Sequence, residues 1–182
     1  MSKKRLLVVL LSVATMYGAS AQKFKPSPTF LKGATEINVV FDYSQVMYKK
    51  DSQSKYYKEK GKKWVEEWEG KRRENNASTF IKDVNEELKG KATVDVYPEA
   101  EYTLIVKVIN CYFGVYPMAP AKLECTVTVV KTGTKTPLAS TNITVAQNSY
   151  TLVGTPVDFD RMYMAFGDMG EKIGEKLYKI LK

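Results

Sequence analysis

YTLIVKVINCY, residues 102–112, is the stretch on which the fold turns. Leu104, Val106 and Val108 fall on one face, with Ile105 and Ile109 on the other. A period of two in β-branched residues is the mark of a strand, and this is the strongest strand signal in the chain. Working outward, FGVYPMAPA (113–121) is a turn with two prolines, and Leu123–Val130 alternates Leu123, Cys125, Val127 and Val129 on one face. KTGTKTP (131–137) is the next turn, and Leu138–Ala146 is the last strand. Three strands joined by short links read as an antiparallel meander.

Upstream, Ala92–Tyr97 reads as a short strand before Pro98, and EINVVFDY (36–43) as another, with Ile37, Val39, Phe41 and Tyr43 on one face. Between them the period changes. Lys55–Glu69 reads as a helix on which Tyr57, Gly61, Trp64 and Trp68 form one stripe, since spacings of three and four share a helix face. Lys62/Glu66 and Lys63/Glu67 stand at i,i+4 on its remaining surface. Gly70 ends or bends it. A second helix follows, capped by Asn76 or Ser78, striped by Phe80, Ile81, Val84 and Leu88, and stopped at Gly90.

Ser44–Ser54 is polar and irregular, and Gln22–Gly33, with two prolines, is an extended lead-in. Gln147–Asp158 is a long loop. Phe159–Lys182 is a final helix with Met162, Phe166, Met169, Ile173, Leu177 and Ile180 as its apolar face. Beside that face run Gly167, Gly170 and Gly174. Glycine costs about 1 kcal/mol against alanine inside a helix. Three on one stripe therefore imply either close approach to a neighbouring element or a helix built to switch. The expected fold is α+β, a largely antiparallel sheet of about five strands with helices packed on one face.

The first 21 residues stand apart. Lys3, Lys4 and Arg5 precede a short apolar run, Leu6–Val13, and Ala19-Ser20-Ala21 is a small-x-small cleavage site. This is the pattern of a secretory signal peptide cut before Gln22, too short in its apolar run to span a membrane. Residues 22–182 then form a single domain with no transmembrane segment. No cysteine follows the cleavage site, so the expectation is an exported protein that is not a lipoprotein.

The chain carries a formal charge of +8, and without the three leader cations 25 Lys and Arg face 20 Asp and Glu. The basic clusters Lys49-Lys50, Lys62-Lys63 and Lys71-Arg72-Arg73 are interrupted by acids. A nucleic-acid partner asks for a concentrated basic stripe and a known module, and neither is present. There is no histidine. That removes the commonest general base, the Ser-His and Cys-His nucleophile pairs, and the commonest zinc ligand. Neither a cofactor nor a metal is expected.

GKKWVEEWEGKRR (61–73) is the one stretch that invites a binding role. Indoles and phenols offer flat apolar faces with a polar tip, which suits a sugar ring, and acids nearby could accept hydroxyl hydrogens. Tyr57, Trp64, Trp68 and Glu67 are the candidate ligand or partner surface. Helical spacing of aromatics is also what a buried face looks like, and core packing is the leading reading. Asp158-Phe159-Asp160 opens the last helix, where acids complement the helix dipole. If the turn is centred on Met118, Cys111 and Cys125 fall opposite each other and a disulfide can form in an oxidising compartment. A register shift of one residue leaves two free thiols on opposite faces.

The segments INVVFDYSQV (37–46), KWVEEWEGKRRENNASTFIKDVNEEL (63–88), YTLIVKV (102–108), AKLECTVTVVKTGTKTPLA (121–139) and DFDRMYMAFGDMGEKIGEKLYKIL (158–181) follow in an order that resembles a family of small exported proteins of Bacteroidetes. FDYS and the Trp-x-x-x-Trp spacing are its more specific pieces. The resemblance implies the envelope of a Gram-negative bacterium, in the periplasm or on the outer-membrane surface. It lends no catalytic residue, because no activity is established for that family. The functional expectation is a non-catalytic cell-envelope protein, an interaction or accessory module whose partner is another envelope protein, met through Ser44–Lys63 and the loop 147–158. The alternative is a carbohydrate-binding module or a carboxylate-based glycan hydrolase built on Trp64 and Trp68.

Overall fold

Three strands of 11 residues carry the molecule: β5 (Tyr102–Tyr112), β6 (Ala121–Lys131) and β7 (Pro137–Gln147). They form the antiparallel meander that their alternation dictates. The computed structural model describes residues 22–115, 119–147 and 158–182; the expected leader, the turn centre at Met118 and all but the ends of the loop 147–158 lie outside them. The remaining elements are β1 (Glu36–Asp42), β2 (Met47–Tyr48), β3 (Asp51–Ser52), α1 (Gln53–Lys60), α2 (Lys62–Glu67), α3 (Arg73–Leu88), β4 (Thr93–Asp95) and α4 (Asp158–Leu181).

The sheet has seven strands and is mixed, which corrects the expectation of about five in a largely antiparallel arrangement. β1 lies between β4 and β5 and runs parallel to both. Parallel neighbours ordinarily need a long crossover. The helices between β1 and β4 supply one. The short link from β4 to β5 suffices because β4 ends at the level of Asn38, where β5 begins: Asn38 pairs with Asp95 on one side and with Thr103 on the other. The Asn38 side chain, 6% exposed, pins this crossing. Its Nδ2 donates to Thr103 Oγ1 and its Oδ1 accepts from the Tyr97 N–H, both at 3.0 Å.

The two extra strands arise in Ser44–Ser54, expected to be irregular. Met47 pairs with Asn110 of β5, and β2 and β3 form a small antiparallel ladder. A β-bulge between Val108 and Asn110 shifts the alternation of β5 by one residue. Leu104, Val106 and Val108 face the core before it, and Cys111 and Phe113 face the same core after it.

α3 and α4 pack against each other and cover one face of the sheet, as expected. The glycine stripe explains how closely they meet. A Cβ on Gly170 would stand 2.5 Å from the Phe80 carbonyl oxygen, and one on Gly174 would stand 2.7 Å from that of Val84. Close approach, rather than a switching helix, accounts for the glycines. The other face of the sheet carries Val40, Ile105, Lys107, Thr126, Thr128 and Asn142, all half-buried or exposed. Residues 22–25 run along the outer edge of β7, where Lys25 and Ser140 exchange backbone hydrogen bonds.

Candidate functional site

The helical region from Gln53 is broken where one helix was expected. Gly61 sits at φ +81°, a left-handed value that glycine adopts without steric cost, and separates α1 from α2. Trp68–Arg72 then winds as a single π-turn kinked at Gly70, with φ −89° and ψ −114°. The bend expected at Gly70 is present, and the chain continues directly into α3. Neither Asn76 nor Ser78 caps it. Asn76 is buried within α3, and the Ser78 hydroxyl donates to the Glu74 carbonyl.

These breaks fold the aromatic stripe around Tyr48, which the polar surroundings of its strand had hidden. Tyr48 and Trp68 are both fully buried. The indole of Trp68, a donor only, gives its hydrogen to the Tyr48 oxygen at 2.7 Å. The Tyr48 and Tyr57 hydroxyls share a second hydrogen bond, 3.1 Å between their oxygens, and the Tyr57 oxygen also accepts from Arg73 Nη2 at 2.8 Å. Burial pushes the hydroxyls of Tyr48 and Tyr57 upward, so both stay protonated at neutral pH.

Trp64 is half-buried. Its ring lies 5.9 Å from that of Trp68, 5.4 Å from Phe159 and 5.5 Å from Phe113, and the Lys60 ammonium sits 5.8 Å over it. The two indoles are thus brought together as the wall of a core, with Trp68 fully buried and Trp64 half-buried at its edge. A large aromatic buries about 150–250 Å², so this cluster contributes several kcal/mol to the fold.

The acids of the region are held in ion pairs. Glu67 pairs with Arg72 at 2.7 Å, not with Lys63, while Arg72 also lies 3.7 Å from Asp160 and 4.8 Å over the Phe159 ring. Glu69 pairs with Arg73 at 3.5 Å, and Lys62 with Glu66 at 3.5 Å as expected. Such exposed pairs add little stability, but they fix the local charges as balanced couples.

Cys111 and Cys125 are buried free thiols. The bulge in β5 corrects the expected register: Cys125 pairs with Val108 and Cys111 with Leu123, so the two are diagonal rather than opposite, though on one face. Burial pushes both thiols well upward, which removes the thiolate that nucleophilic chemistry requires.

Among the described residues, a cleft and a groove lie beside the aromatic cluster. A cleft of about 470 Å³ between the start of α3 and the start of α4 is lined by Arg72, Asn75, Asn76, Phe159, Asp160 and Tyr163, among others. A shallower groove of about 710 Å³ runs along Ser44, Gln45, Met47, Gln53 and Tyr57, within the strip expected to meet a partner, and reaches Glu69 beyond it. Among the described residues no cluster of His, Cys, Asp or Glu could hold a metal ion, and no helix is long and apolar enough to cross a membrane.

No protein-family model matches the sequence, nor does any curated protein. Solved structures of PelC share its fold. PelC from Paraburkholderia phytofirmans, a dodecamer, is similar with a TM-score of 0.52 and 12% identity, over 88% of this chain and 97% of that one. A point variant of the same dodecamer gives 0.54 and 11%, over 88% and 98%. A Xanthomonas campestris protein of the DUF330 family is similar with a TM-score of 0.40 and 11% identity, over 79% and 81%.

Proposed function

We propose that this chain is a non-catalytic protein of the Gram-negative cell envelope, exported by its leader, that acts as an interaction or accessory module and assembles from copies of itself. The observation that carries the reading is the closed aromatic cluster. Trp68, the centre of the sequence's most function-like stretch, is 0% exposed and hydrogen-bonded to a second buried ring. The acids around it are paired with arginines, and both thiols are buried and protonated. Chemistry is thereby withdrawn from the place where the sequence concentrates it, and surface is what the molecule offers.

Assembly from copies is supported by the fold shared with PelC, which forms dodecamers. A second support is the outer sheet face, where Val40 is 47% exposed beside Ile105. A copy seated head-to-tail on such a face builds a ring when the rotation closes. The test is the molar mass in solution by light scattering. A multiple of the chain mass supports the reading, and a monomer at every concentration contradicts it. Val40→Lys tests the face separately: it should shift the mass downward, and a large assembly unaltered by the substitution would move the interface elsewhere while keeping the assembly.

The glycan reading keeps one supporting observation. The cleft between α3 and α4 combines amides, a guanidinium and a carboxylate with Tyr163, 43% exposed. It would bind sugars there rather than on Trp64 and Trp68. A glycan that shifts tyrosine fluorescence in the parent but not in Tyr163→Ala would favour it, and a panel without effect would remove it.

A further inference from the structure

The last turns of α4 and the lead-in segment before β1 meet in a separate cavity of about 370 Å³, lined by Lys23, Phe24, Ser27, Lys176, Lys179 and Ile180. The two sides come from opposite ends of the chain. Lys25 is held to β7 through Ser140, and Gln22 donates to the Asn142 carbonyl, which fixes Lys23 and Phe24 between them. Phe24 is 7% exposed and belongs to the core, so the floor is rigid and apolar, and half-buried Ile180 extends it.

Lysines in a last helical turn complement the negative end of the helix dipole, and that accounts for Lys179. It does not account for Lys23, which another segment brings to the same cavity, nor for the apolar floor beneath them. The ammonium groups also work against one another. Lys176 is held below its ordinary value, first by burial, then by the charge of Lys179, with Lys23 adding to it and Glu175 opposing. Lys23 and Lys179, both exposed, present their charge to an anion at this cavity, and the floor would take an apolar chain attached to it.

We propose that Lys23, Lys176 and Lys179, set around Phe24 and Ile180, form a binding site for an anionic amphiphile: a phosphate or carboxylate head joined to an apolar chain. A soluble amphiphile and a bilayer lipid present the same chemistry. The inference stands apart from the assembly reading, since it uses neither the sheet face nor the aromatic cluster.

Calorimetric titration of the full chain with dodecyl phosphate tests it, with inorganic phosphate and dodecyl maltoside as the head-only and tail-only probes. Dodecyl phosphate should bind saturably, and either probe alone at least about tenfold more weakly. Lys179→Glu and Lys23→Glu, both at exposed positions on opposite walls, should each weaken binding by about tenfold or more while the unfolding midpoint holds. The segment before Gln22 is common to all variants, so only differences between them are read. Sedimentation with phosphatidylglycerol or phosphatidylcholine vesicles then separates the sources: retention by the anionic vesicles alone, lost in both variants, assigns a bilayer lipid, and binding of the free amphiphile without retention assigns a soluble one. Absence of saturable binding, equal binding of dodecyl maltoside, or binding that neither substitution weakens would overturn the proposal.

Discussion

Tyr48 links both halves of the aromatic cluster: it accepts from Trp68 and shares a hydrogen bond with Tyr57, which Arg73 holds from the other side. Trp68→Ala should cost about 3–5 kcal/mol in urea unfolding, the range for deleting a large buried ring. Tyr48→Phe keeps the ring but leaves the buried indole N–H without an acceptor, at a cost of about 1–3 kcal/mol. Asp168 gives a pH signature. Burial holds its carboxyl above the ordinary range, against the pull of Lys172. A carboxyl raised in the folded state favours folding fully below its unfolded value, about 3.9, and that contribution is lost as pH rises through the folded value. Asp168→Asn should therefore gain stability relative to the parent as pH rises from 3 toward 7; a relative loss over that window would contradict it. At this scale the sequence showed the indoles and their shared stripe, because helical spacing survives the break at Gly61. It hid Tyr48, since one aromatic among polar neighbours has no period to reveal it.

The packing of α3 on α4 is where single elements depend on each other most. On propensity alone Gly170→Ala would gain about 1 kcal/mol. Here the new methyl would stand 2.5 Å from a backbone oxygen that cannot move without moving α3. The substitution should therefore lower the unfolding midpoint, and a rise would show that the helices have room to spare. The long strands and α4 were legible nearly residue for residue, because their periods run over many residues. The divided helix was less so. The spacing of Tyr57, Trp64 and Trp68 reads through Gly61, yet the backbone turns there into a left-handed conformation. The bulge in β5 left no mark in the pattern. An inserted residue shifts the phase without altering composition, and it decided the placement of Cys111 relative to Cys125.

For the whole molecule, a five-strand reading failed at its least periodic parts. β2 and β3 are two residues each, and the parallel placement of β1 between β4 and β5 depends on hydrogen bonds from Asn38 that no hydrophobic pattern encodes. The layering of helices on one face followed from the apolar stripes and stands. The candidate site was legible as a cluster, with core packing as the leading reading and a ligand or partner surface beside it, since periodicity groups side chains without saying whether water reaches them. The rings of this region close a core. Fluorescence of the two single-tryptophan proteins measures it. With Trp64→Phe the remaining Trp68 should emit at short wavelength, resist acrylamide quenching and ignore a panel of glycans, while with Trp68→Phe the remaining Trp64 should be only partly quenched. A readily quenched, solvent-exposed emission from Trp68, or a shift of it on adding one glycan, would contradict the account.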